Sequence, residues 1–151
     1  MDATRGQGVL VSVAEMRLPA PVWLDEHATL EDVARMMSTA GVSAVIIGRD
    51  AAIITERDLV CAMANGEPTG VRAVDVATRD AVRFPAEAPV VAALAEMLQI
   101  GLRHLVIVGP NNLPCAVLPL SAAAAVVLEA ARIPTWLSAL RIVLRVEESD
   151  R

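Results

Sequence analysis

The stretch "AAIITERDLVCAM", Ala51 to Met63, passes from apolar residues into Thr-Glu-Arg-Asp and back into apolar residues. Three ionisable side chains in succession stand out in a chain that is 55% hydrophobic. Thr55 and Asp58 have the spacing of a capping box. The hydroxyl of a helix N-cap accepts a backbone N–H, while the carboxylate three residues on reaches back to the N-cap N–H and favours the positive end of the helix dipole. Glu56 and Arg57 fall in the first helical turn, where charged side chains are normally solvated. A second polar pair, Arg103 and His104, lies in "GLRHLVIV". Taken alone, Arg103 reads as a cap on the turn after Gly101 and His104 as a partly buried histidine bonded to backbone. Thr78, in "VATRD", reads as a turn hydroxyl, and His27 as a loop residue.

Catalysis finds little support in these residue types. The chain has no Gly-rich phosphate loop, no nucleophile elbow and no HExxH, and neither of its two histidines has an acid/base partner in view. Cys61 and Cys115 show no CxxC or Cys/His spacing, so neither a metal site nor a disulfide is expected. The formal charge is −5 and the thirteen basic residues are scattered, which argues against nucleic acid as a partner. The start, "MDATRGQGVLVSVAEM", lacks the cationic and apolar regions of a signal peptide. Leu113 to Ala131 is the most hydrophobic stretch, but Pro119, Ser121 and Glu129 interrupt it, so no membrane span is expected. A cytoplasmic location is the expectation. Aromatic residues are only 2% of the chain, and the surplus of Ala and Val points to a partner or to self-association.

The elements that must position these side chains occur twice. "TLEDVARMMSTAGVSAVII" (Thr29 to Ile47) lies over "PVVAALAEMLQIGLRHLVI" (Pro89 to Ile107) at a constant offset of sixty residues, with Met37 over Met97 and Gly41 over Gly101. In the first copy Thr29 is an N-cap, Leu30, Val33, Ala34, Met37 and Ala40 follow helical spacing, and Gly41 ends the helix. "VSAVII" is then a short β-branched strand covered on both faces. A turn at "GRDA", a strand over Ala52 to Ile54 and a helix from about Glu56 to Ala64 complete the copy. The second copy repeats the order with "HLVIV", a turn at "GPNN", a strand around Ala116 to Leu118 and an Ala-rich helix over Ser121 to Ala131. Short extended pieces, "APVWL" and "AVRFP", precede the two blocks, with Val22 over Val82.

The expected fold is therefore α/β (α+β): two β-α-β-β-α repeats related by a pseudo-two-fold axis and packed sheet edge to sheet edge, since one repeat is too small to bury a core alone. The expected divisions are an N-terminal segment over 1–12, a first repeat over 13–75, a second over 76–131, and a C-terminal helix and tail over 132–151. Trp136, Leu137, Leu140 and Leu144 give that last helix an apolar stripe.

The duplication, the "ATLEDVARMM" helix start, the "GLRHLVIV" strand and the "ITERDLV" junction together resemble a tandem pair of CBS (cystathionine β-synthase) domains, a Bateman module. The resemblance spans Val13 to about Ala131. It implies a non-enzymatic regulatory or ligand-sensing module that binds an adenosine-containing ligand (AMP, ADP, ATP or S-adenosylmethionine) between the repeats. It implies a homodimer formed through the helices, a separate protein partner to receive the signal, and no obligatory cofactor. In that pattern Thr55 offers its hydroxyl to a phosphate and Asp58 accepts hydrogen bonds from the two ribose hydroxyls, which suits a carboxylate beside a helix N-terminus. Arg103, His104 and Thr78 match positions near the phosphates, and Val22, Ala44 and Ile54 match the adenine slot. The second repeat departs from the pattern, with Pro119 opposite Thr55 and Ala122 opposite Asp58, so a second adenosyl site of this kind is not expected. Without ligand, the same features make a dimerisation module whose Thr55–Asp58 pair is a helix cap.

Overall fold

The structure is a computed structural model, and residues 11–131 are described. The C-terminal helix expected over 132–151, with Trp136, Leu137, Leu140 and Leu144, lies outside the described residues, as does most of the segment expected over 1–12. The first repeat comprises β1 (Trp23–Leu24), α1 (Leu30–Ala40), β2 (Ala44–Ile47), β3 (Ala52–Thr55) and α2 (Glu56–Ala64). The second comprises β4 (Arg83–Pro85), α3 (Val90–Ile100), β5 (His104–Val108), β6 (Pro114–Pro119) and α4 (Leu120–Ala130). None of these helices is long and apolar enough to cross a membrane.

Local chemistry accounts for the boundaries. At the start of α1 the Asp32 carboxylate accepts from Thr29 N–H at 2.9 Å and from the Thr29 hydroxyl at 2.8 Å, while Asp32 N–H donates to Thr29 Oγ1 at 3.2 Å. The N–H groups of Gly41 and Val42 both close on the Met37 carbonyl, with Gly41 at φ 66, a left-handed conformation that favours glycine. α3 ends the same way: Gly101 stands at φ 78 and Leu102 N–H donates to Met97 O. The inward faces, Leu30, Val33 and Met37 in α1 and Val90, Ala93 and Met97 in α3, are buried at the helical three-to-four spacing.

Each repeat builds its own three-stranded sheet. β1 runs parallel to β2 and β2 antiparallel to β3; β4, β5 and β6 repeat that order. Strand alternation assigns the two faces. Val45, Ile47 and Ile54 meet the first repeat's helices, and Leu105, Ile107 and Leu118 meet those of the second. Ala44, Ile46 and Ile53 pack against Val106, Val108 and Val117 in a third cluster that joins the repeats. The two sheets therefore stack face on face, and the edge-to-edge packing expected from the sequence is corrected. The reason is visible in β2, where all four residues are buried: one face serves the helices, and the other must be covered by the second sheet. Arg83 ties the layers together at one end, its guanidinium donating to Asn112 O at 2.9 Å and Asp50 O at 3.2 Å across both hairpin turns.

The segments that lead into each repeat are exchanged. Val11 O accepts from Val90 N–H, Val13 N–H donates to Ala88 O, and Val13 is buried in the second repeat's core. Sixty residues later, Val71 O accepts from Leu30 N–H, Ala73 N–H donates to Ala28 O, and Ala73 is buried in the core of the first. Both segments make 3-10 turns, Val13–Met16 and Ala73–Asp75. The pseudo-two-fold relation thus extends to individual hydrogen bonds.

Candidate functional site

Face-on stacking leaves two clefts at the seam, each built from the β-strand-to-helix junction of one repeat and the helix-to-strand loop of the other. In the first, Thr55 is the last residue of β3 and the N-cap of α2, its extended backbone (φ −120, ψ 165) turning the chain into the helix. Glu56 N–H donates to Ser43 O at 3.1 Å, which pins the helix start to β2. Asp58 Oδ2 accepts from Thr55 N–H and from the Thr55 hydroxyl, both at 2.7 Å. Oδ1 takes no protein hydrogen bond among the described residues. A carboxylate can accept about four hydrogen bonds, so the cap leaves capacity toward the cleft.

The facing wall is the Gly101–His104 loop of the second repeat, and the rim is the run from Thr78 to Val82. Thr78 exchanges two backbone hydrogen bonds with Ile53, at 3.0 and 2.8 Å, so this run lies along the free edge of β3. Ile53, Val82 and Val106 provide apolar lining, while Arg57, Asp58, Asp80 and Arg103 bring charge. The cleft has a volume of about 510 Å³, within the usual range for small-molecule sites. Neither Arg57 nor Arg103 enters a salt bridge among the described residues, and both are exposed.

His104 stands at the seam and borders both clefts. A hydrogen bond of 2.7 Å joins its Nε2 to Ser43 Oγ of the other repeat. Burial holds its pKa below the ordinary histidine value, and the positive charge of Arg103 adds to the effect against the opposing pull of Glu56 and Asp58. The imidazole at the seam is thus biased toward its neutral form.

The second cleft is the pseudo-symmetric counterpart. Its walls are the 18–22 run, the Gly41–Ala44 loop, and Val117, Pro119 and Ala122 of the second repeat, around a volume of about 320 Å³. Leu120 N–H donates to Arg103 O at 2.8 Å, the counterpart of the Glu56 to Ser43 bond. Pro119 replaces Thr55 at the helix N-cap and Ala122 replaces Asp58.

Of the residues singled out in the sequence, Thr55, Asp58, Thr78, Arg103 and His104 come together around the first cleft. Val22 and Ala44 line the second cleft instead, because each cleft takes its helix-to-strand loop and leading strand from the opposite repeat. Ile54 lines neither: it is fully buried on the helix-facing side of its sheet. Its neighbour Ile53 occupies the place expected of it, and counting back two from Thr55 would have found it, since alternate strand residues share a face. Val82, Val106 and Asp80 were missed as lining residues, and Arg57, read from the sequence as a solvated first-turn residue within reach of a phosphate, lines the cleft as well. The offset of sixty from Val22 leads to Val82; no signal in the sequence distinguishes Asp80 from any other loop carboxylate.

Among protein families, the CBS domain matches residues 13–65. No curated protein matches the chain. Solved structures match over most of it. A CBS domain protein from Pyrobaculum aerophilum complexed with AMP is 27% identical with a TM-score of 0.72, the match covering 81% of this chain and 99% of that one. A CBS-domain containing protein from Agrobacterium tumefaciens is 19% identical with a TM-score of 0.69, over 80% and 96% of the two chains. The CBS domain pair of protein MJ0100, in complex with 5′-methylthioadenosine and S-adenosyl-L-methionine, is 14% identical with a TM-score of 0.69, over 77% and 94%.

Proposed function

For a chain that carries a CBS domain at residues 13–65 and has the fold of a CBS-domain pair, we propose a regulatory role: the protein senses an adenosine-containing nucleotide bound in the first cleft. The observation that carries this reading is the convergence on that cleft of a carboxylate with free acceptor capacity, Asp58, and two exposed guanidinium groups, Arg57 and Arg103, over the apolar lining of Ile53, Val82 and Val106. A nucleoside phosphate has the complementary parts: a vicinal diol for Asp58, a flat apolar base for the valines and isoleucine, and an anion for the arginines and the N-terminus of α2. Thr55 contributes its hydroxyl at the same helix end, and Thr78 and His104 close the rim and the seam. The match to a protein complexed with AMP supports the ligand class.

Such a ligand touches both repeats at once, Asp58 in one and Arg103 in the other, and so favours one relative placement of the two sheets. We propose that a homodimer formed through helices and a separate protein partner read that placement. Exposed Val60 and Met63 on α2, and Leu98 and Ile100 at the end of α3, are the apolar surface available for it. The second reading, a dimerisation module without ligand, draws on the completeness of the Thr55–Asp58 cap, which needs no occupant.

A thermal-shift screen against AMP, ADP, ATP and S-adenosylmethionine distinguishes the two. Ligand at a hundred times its dissociation constant stabilises by about 2.7 kcal/mol, which for a chain of this length raises the melting temperature by roughly 5–11 °C. A shift for one compound in the wild type, lost in Asp58→Ala, is the expected result. No shift for any of the four leaves the dimerisation module.

A further inference from the structure

We propose that the second cleft is a separate binding site, and that it takes an uncharged, largely apolar small molecule rather than a nucleotide. The two clefts differ position by position. Sixty residues apart, Asp80 becomes Ala20, Thr78 becomes Leu18 and Arg103 becomes Ser43; at the helix start, Thr55 becomes Pro119 and Asp58 becomes Ala122. Among the described residues, every charged side chain that lines the first cleft lacks a charged counterpart on the lining of the second. A decayed site would fill in or scatter polar groups at random, whereas this one keeps an open volume of about 320 Å³ and replaces most of the polarity with apolar surface, Ser43 and His104 excepted.

The hydrogen-bonding groups point the same way. Pro19, Pro21 and Pro119 have no N–H to offer an anion. The side-chain polar groups on the lining, Ser43 Oγ and His104 Nε2, are engaged with each other at 2.7 Å. A phosphate entering here would lose its water and gain neither a cationic side chain nor the carboxylate partner for a ribose, while an apolar ring system loses little and covers Val22, Val42 and Val117. One neutral acceptor on such a ligand can share the Ser43 hydroxyl. Selectivity therefore comes from what has been removed: the cleft rejects the ligand class its counterpart is built for.

The test uses the neutral naphthyl ketone Prodan, whose fluorescence moves to shorter wavelength in apolar surroundings, titrated into the full chain. The expected result is saturable binding of one probe per chain that excess AMP does not displace. Ala122→Asp and Ala20→Asp return to the second cleft the two carboxylates of the first, and each is expected to weaken Prodan at least tenfold while AMP titrations stay as in the wild type. Ala20 is exposed, so that variant decides the matter if Ala122→Asp does not fold. Absence of saturable binding, displacement by AMP, or binding unchanged in folded Ala20→Asp overturns the proposal. Calorimetry with AMP is a separate readout, so failure of the first cleft as a nucleotide site and failure of the second as an apolar site are told apart.

Discussion

Replacing Asp58 by alanine separates what the carboxylate does for its helix from what it does for a ribose. In the structure Oδ2 accepts two hydrogen bonds of 2.7 Å from Thr55. Loss of N-terminal capping of this kind costs about 1 kcal/mol, or about 2–4 °C in the melting temperature of a chain of this length. The unliganded variant should melt lower by that amount and no more. Two ribose hydroxyls donating to a carboxylate contribute roughly 1.5–3 kcal/mol each, so the variant should bind AMP at least about 100-fold more weakly. The two effects are resolved by a cycle of four calorimetric titrations, AMP and 2′-deoxy-AMP against wild type and Asp58→Ala. Removing the 2′-hydroxyl deletes one of the proposed bonds, so it should cost the wild type about 1.5 kcal/mol or more and the variant close to nothing. If the deoxy ligand binds the wild type as well as AMP does, or loses equally in both proteins, Asp58 does not hold a ribose and is only the cap of α2.

Three further outcomes are expected. As pH falls from about 6.5, the unfolded chain takes up a proton at His104 before the folded protein does, because the folded value is depressed; urea midpoints should drop between pH 7 and 5.5, and drop less in His104→Gln, an equal decline being the refutation. Met97, fully buried against Val90, Ala93 and Leu105, should cost about 2–5 kcal/mol on replacement by alanine, measured by urea unfolding; a loss below 1 kcal/mol would contradict the packing. The double variant Val60→Asp, Met63→Asp should convert a dimer to a monomer in light scattering while still melting cooperatively, and an unchanged mass would remove α2 from the proposed interface.

Much of the fold was legible in the sequence because its signals are local. Thr29, Gly41 and Gly101 mark helix ends through hydrogen bonds made within a few residues, and the offset of sixty reports the duplication without any knowledge of contacts. What the sequence left open was set by contacts between the repeats. "VSAVII" announces a strand buried on both faces but not that its second cover is the other sheet. Val22 and Ala44 have the right character for a cleft, yet the exchange of loops between repeats assigns them to the second one. Ile54 was misassigned for a different reason: in a run as apolar as "AAII", composition does not separate the two faces, and only the period of two, counted from Thr55, does so.

The exchanged leading segments bear on how such a chain is made. A ribosome delivers Val71 and Ala73 soon after α2, so the first repeat can complete its core while the second is still being synthesised. Val11 and Val13 emerge before everything they pack against, and must stay unengaged until α3 appears about half a chain later. Folding therefore has a built-in order, with the second repeat closing onto a segment the nascent chain has held in reserve. A gene cut between α2 and Val71 would separate each core from its own closing segment, so the two products would fold together only by recombining as a complex.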